Sequence, residues 1–219
     1  MACWSAENAT KAYLKTMKMG KGAKEPDAAE FISALAAGNN AQLLVVACAG
    51  IAGSATLALV AAAHQTGGRV VCILRGNEEL HLSKQSLGHN ASHVQFVIGE
   101  AQNLLLNDYK QADFLVIDCN LENHEGILRA VQAGGRLNGA IILGYNAFCK
   151  DSWQWSGSNT QLLPIGEGLL LTRVAAKAKR ANCGGFGKTR SHWVVKVDKC
   201  TGEEHVFRVR SPQGRVIEA

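Results

Sequence analysis

The chain has no C-x-x-C pair, no long hydrophobic run, and no repeated or low-complexity tract. Its seven cysteines (Cys3, Cys48, Cys72, Cys119, Cys149, Cys183 and Cys200) are scattered and odd in number. They read as small apolar residues of a reducing compartment, not as a disulfide framework. A zinc site needs clustered Cys and His, and that clustering is missing too. The longest apolar stretch in a helical context, residues 55–63, is about half a membrane span. The opening residues, Met1-Ala2-Cys3-Trp4-Ser5-Ala6-Glu7, lack the basic-then-apolar order of a signal peptide. A soluble, cytoplasmic protein without membrane contact is expected.

What is present is ordinary globular material: 219 residues, 47% hydrophobic and 19% charged, enough for one generous domain or a domain with an appendage. The charge is uneven. Residues 176–219 carry ten Lys/Arg against four Asp/Glu, and the rest carries 13 against 14. The basic balance therefore belongs to the last fifth of the chain, and any argument for an acidic partner applies only there. Within that stretch Lys177 to Arg190 reads as a solvated linker or as an arm for an acidic partner. Phe186 is its only aromatic, which argues against single-stranded nucleic acid. Gly184-Gly185-Phe186-Gly187-Lys188-Thr189 is not a P-loop, because Asn182 stands where the first glycine belongs and no strand leads in.

Residues 4–19 have helical spacing, and Asp27 is placed to cap a helix over 28–37 closed by Gly38. Strands are then expected at 43–49, 69–74, 93–98, 113–118 and 139–144, with helices near 53–65, 78–88, 100–108 and 122–133. Gly67-Gly68 and Gly134-Gly135 mark helix ends. The strands are continuous apolar runs, so both sheet faces are covered. The expectation is an α/β fold with a doubly wound, mostly parallel sheet over residues 1–175. Leu162 to Val174, around Gly166-Glu167-Gly168, adds antiparallel edge strands. Residues 176–219 add a basic linker and a C-terminal hairpin (192–197 with 205–210).

The first βα turn carries the strongest functional signal. Leu43 to Ala49 runs into Gly50-Ile51-Ala52-Gly53-Ser54 and an Ala-rich helix, the arrangement that presents backbone N–H groups to a nucleotide-like ligand. Gly50 and Gly53 either make that cradle or let strand and helix pack closely. Asp118 ends a parallel strand, where such sheets place functional groups, and equally suits a cap on the next helix. Arg75 at the end of the second strand meets a phosphate or is an exposed strand-end residue. Glu78 and Glu79 are near enough to reach back toward ribose hydroxyls. His124 reads as a surface histidine or an acceptor-site residue. Trp153 and Trp155 wall an acceptor pocket or pack as core aromatics.

Several of these segments resemble class I S-adenosylmethionine-dependent methyltransferases, and more narrowly the catechol and caffeoyl-CoA O-methyltransferases. The likeness runs from about residue 27 to 175. It rests on Glu25-Pro26-Asp27-Ala28-Ala29-Glu30-Phe31, Ala49 to Ser54, Gly99-Glu100-Ala101, Phe114 to Asp118, and above all Leu163-Pro164-Ile165-Gly166-Glu167-Gly168 followed by Arg173. Trp4-Ser5-Ala6-Glu7-Asn8-Ala9-Thr10-Lys11-Ala12-Tyr13 resembles, closer still, a plant family assigned to this superfamily that carries no known activity.

The resemblance implies S-adenosylmethionine at Ala49, Gly50, Gly53, Arg75, Gly99, Glu100 and Ala101. It implies a small-molecule acceptor near Asp118 and Asn146. It also shows what has been replaced. Ala47 stands for an acidic residue before the glycine turn, and Leu74-Arg75 for the carboxylate that receives the ribose hydroxyls. Each lost charge-assisted bond costs about 1.5–3 kcal/mol, or about tenfold to a hundredfold in affinity. Of three implied metal ligands Asp118 and Asn146 remain, but the middle one is Tyr145, a poor partner for a hard cation. Leu121 stands where a lysine would help deprotonate the acceptor. No metal is expected. Two functions stay open: a methyltransferase whose metal and base apparatus is degraded, or a non-catalytic binding module on the same fold.

Overall fold

The computed structural model describes residues 4–20, 27–133, 139–150, 160–174, 190–197 and 204–211. Five parallel strands form the centre of one sheet: β1 (Leu43–Ala47), β2 (Arg69–Leu74), β3 (Val94–Ile98), β4 (Phe114–Asp118) and β5 (Ala140–Tyr145). Antiparallel β7 (Leu169–Val174) pairs with β5, and β6 (Thr160–Leu163) pairs with β7. The order is β3-β2-β1-β4-β5-β7-β6, with Val46 opposite both Cys72 of β2 and Val116 of β4. The expected doubly wound sheet with antiparallel edge strands is the one observed.

Alternation along β1 explains the layers. Leu44, Val46 and Cys48 face one core with Ile32 and Leu35 of α2 (Ala28–Gly38) and Ala58 and Leu59 of α3 (Ser54–Thr66). Val45 and Ala47 face the other, with Leu105 of α5 (Ala101–Leu106) and Ile127 and Leu128 of α6 (His124–Ala133). Helix α1 (Ala6–Met19) packs on α2 and α3, and Leu87 of α4 (Asn77–Leu87) joins the first core. The chain thus covers one face while building β1–β2–β3, then returns beside β1 as β4 and covers the other. That reversal leaves a crevice outside the carboxyl ends of β1 and β4, where open α/β sheets bind ligands.

Two details differ from expectation. Gly38 is the last residue of α2, with Asn39 as its cap. Its missing side chain makes room for the Trp4 ring, which lies where a Cβ would stand. Strand β6 starts at Thr160, because the Thr160 hydroxyl pairs with Thr172 across the edge at 2.8 Å. Gly134-Gly135, Trp153, Trp155 and the Gly184–Thr189 stretch lie outside the described residues.

Residues 1–178 and 179–219 form two compact units. In the second, β8 (Arg190–Val197) and β9 (Glu204–Ser211) pair antiparallel from Arg190 opposite Ser211 to Val197 opposite Glu204.

One surface feature of the first unit carries a pH signature. The rings of His64 and His93 meet edge to face at 4.6 Å. His64 is held below its ordinary value by partial burial and then by the positive charges of Lys15 and His93. Its folded pKa is thus lower than its unfolded one, and the unfolded chain binds more protons as pH falls through about 6.5. We expect the melting temperature to decline between about pH 7 and pH 5. His64→Gln should flatten that slope in thermal melts taken across the range.

Candidate functional site

The crevice has a volume of about 250 Å³, just below the range of about 300–1,000 Å³ usual for small-molecule sites. Four strand ends line it. β1 contributes Cys48, and β2 contributes Ile73, Leu74 and Arg75. The turn after β3 contributes Gly99, Glu100 and Ala101, and the loop after β4 contributes Leu121, Glu122 and Asn123. Arg75, Gly99, Glu100 and Ala101 were expected there. Ala49, Gly50 and Gly53 form the turn that runs on from Cys48 and are not among the lining residues.

That turn is open. A Cβ built on Gly50 or Gly53 would meet nothing within 4 Å. Close packing of strand on helix therefore does not explain these glycines, and the space over the turn is unfilled. Helix α3 begins there with no side-chain cap on its first amides. The Ala52 N–H is held from below by the buried Ser83 hydroxyl of α4, at 2.8 Å. We expect Ser83→Ala to strand that buried N–H at a cost of about 1–3 kcal/mol, read as a lowered melting temperature.

The implied carboxylates are missing for different reasons. Ala47 is fully buried in the second core, where a charge has no room. Arg75 is half-exposed, and its ion pair with Glu122 is long at 3.9 Å. Glu100 caps α5, its two oxygens accepting from the N–H groups of Gln102 and Asn103 at 2.9 and 2.6 Å. Glu78 and Glu79 occupy the first turn of α4, and Glu79 folds back over Gly76, 2.9 Å from where a Cβ would stand.

Asp118 and Asn146 do come together. Asn146 Nδ2 donates to Asp118 Oδ1 at 3.0 Å, from a left-handed backbone (φ 60°) that Asn tolerates. Asp118 Oδ1 also accepts from the Asn120 N–H at 3.0 Å, and Oδ2 from the Ala49 N–H at 3.2 Å. The Tyr145 phenol lies beside the same carboxylate and the Cys48 thiol. Burial, then the neighbouring Cys48 and Asp118, pushes the Tyr145 phenol up, so it is no base at neutral pH. Asp118 thus both ends its strand and ties β4 to the β1 turn and to β5. A hard divalent ion does not fit this group. Both carboxylate oxygens already accept hydrogen bonds, three in all, and the third position is a neutral phenol. No group of three or more His, Cys, Asp or Glu converges among the described residues.

His124 corrects the expectation of a surface histidine. It is buried, with its ring Nδ1 2.8 Å from the Leu121 carbonyl, because the loop after β4 folds back on itself before α6 starts. Leu121, in the lysine position, is buried as well. No motif in the sequence marks Cys48, Ser83, Glu122 or Asn123, which the fold brings to the site. The one available signal was position: Cys48 is the first residue past β1 and adjoins the glycine turn.

The family described as a protein of unknown function, DUF1442, matches residues 1–209. The chain belongs to that family. No curated protein matches it. Among solved structures, a methyltransferase from Geobacter sulfurreducens is 19% identical, covering 78% of this chain and 91% of its own at a TM-score of 0.55. An SAH-bound methyltransferase from Podospora anserina is 14% identical, covering 78% and 89% at 0.53. An O-methyltransferase from Bacillus cereus in complex with SAH is 14% identical, covering 78% and 91% at 0.50. These likenesses establish that this DUF1442 chain has a methyltransferase-like fold. No described helix is long and apolar enough to cross a membrane.

Proposed function

We propose that the crevice binds S-adenosylmethionine and that the chain is a methyltransferase-like protein for a small-molecule acceptor, working without a metal. The observation that carries this reading is the open glycine turn beside a crevice lined by Arg75, Gly99, Glu100 and Ala101. Solved neighbours that hold SAH support it. When bound, the cofactor supplies a methyl group already activated on a sulfonium. The chain's own contribution is then placement: backbone N–H groups at the start of α3, apolar walls from Ile73, Leu74 and Leu121, and a turn fixed by Asp118 and Ser83.

A second reading has specific support. With Tyr145 held neutral and Leu121 in the lysine position, neither of these two positions offers a base for the acceptor's proton. That favours a site that binds without transferring a methyl group.

The test is isothermal calorimetry and thermal shift with S-adenosylmethionine and S-adenosylhomocysteine. At about a hundredfold excess over Kd, binding should stabilise the chain by about 2.7 kcal/mol, or about 5–11 °C. No heat and no shift at millimolar ligand would refute the cofactor assignment. Binding without turnover across a panel of hydroxylated acceptors would favour the second reading.

A further inference from the structure

The floor of the crevice holds chemistry that methyl transfer does not use. Cys48 and Cys72 bring their Sγ atoms within 3.7 Å across the β1–β2 pair. Cys48 also lies 4.0 Å from the Thr56 hydroxyl. Both residues are buried, at 3% and 0% exposed, and of the two only Cys48 lines the crevice.

We propose that Cys48 and Cys72 form a peroxide-responsive thiol pair: Cys48 is oxidised from the crevice, and Cys72 resolves it to an intramolecular disulfide. In the first step the Cys48 sulfur attacks hydrogen peroxide. The O–O bond breaks, a Cys48 S–O bond forms, and water leaves, giving the sulfenic acid. In the second step the Cys72 sulfur attacks the Cys48 sulfur, the S–O bond breaks and a second water leaves. Peroxide is reduced, and the two thiols are oxidised by two electrons.

The surroundings assign the roles. Cys48 alone of the two lines the crevice, so it is the sulfur that peroxide reaches and Cys72 is the one that resolves it. Cys119 is the internal contrast: burial pushes its thiol up to about 12, and it does not line the crevice. Closing the sulfurs from 3.7 Å to about 2.05 Å requires movement. Cys48 lies one residue past the end of β1, whereas Cys72 lies inside β2, so the closure is taken up at the Cys48 side chain. The pair concerns the thiols alone and stands whether or not the crevice binds S-adenosylmethionine.

The test treats the full chain with hydrogen peroxide, alkylates the remaining thiols and digests with trypsin. Cleavage after Lys24, Arg69 and Arg75 puts Cys48 and Cys72 on separate peptides, residues 25–69 and 70–75. The expected product is those two peptides joined, lighter by two hydrogens, and separated again by dithiothreitol. In Cys72→Ser, oxidation should stop at Cys48 as a sulfenic acid trapped by dimedone, and in Cys48→Ser the 70–75 peptide should stay a free thiol. Should either variant fail to fold, the wild-type map decides alone. The proposal is overturned if both peptides remain free thiols once exposed Cys149 is oxidised, or if Cys48 links to any other cysteine.

Discussion

Asp118→Ala is expected to lower stability by about 3 kcal/mol or more, a loss of at least about 6–12 °C in melting temperature. The size follows from what the carboxylate satisfies. It accepts from the N–H groups of Ala49 and Asn120 and from the Asn146 amide, in a pocket where Asp118 is only 7% exposed. Truncation leaves these donors facing a small void, and each orphaned buried donor costs about 1–3 kcal/mol, less where water enters. Asp118→Asn keeps the shape and one acceptor oxygen, so its loss should be smaller. A group held open for a metal or a substrate would behave differently, because removing it would cost binding and leave the melt within a degree or two. A thermal melt of the two variants, with and without millimolar Mg²⁺, separates the cases, and Mg²⁺ should shift neither the wild type nor the variants.

Asp118 also shows where sequence stops being informative. Its place at the end of an apolar run is legible, because a parallel strand buried on both faces needs such a run. The same logic makes all five central strands visible to within about two residues. Its role is set by Ala49 and Asn146, 69 and 28 residues away, which no local pattern encodes. His124 fails for a similar reason: its burial depends on how the loop after β4 folds, not on its helical spacing. The apolar pattern starts β6 only at Leu162, because Thr160 and Gln161 lack the apolar signature on an edge strand where half the positions face out. The glycine turn was visible as a motif, but choosing between cradle and packing required knowing that nothing stands over Gly50 and Gly53.

The same contrast between motif and neighbourhood governs Arg75. We expect Arg75→Asp to bind S-adenosylhomocysteine about tenfold to a hundredfold more tightly than the wild type. The end of β2 lines the crevice and is half-exposed, so a carboxylate there keeps its hydration when the site is empty, unlike one at buried Ala47. A single good bond from a ribose hydroxyl to that carboxylate contributes about 1.5–3 kcal/mol. What is given up is small: the pair with Glu122 is long and exposed, and such pairs contribute about 0–1 kcal/mol. Calorimetric titration of both proteins under one buffer gives the ratio of Kd values directly. Tighter binding places the ribose beside residue 75. An unchanged Kd would move the nucleoside away from β2. Weaker binding by the variant would assign Arg75 to an anionic group on the ligand, and a phosphate-bearing adenosine nucleotide that outcompetes S-adenosylhomocysteine on the wild type would identify it.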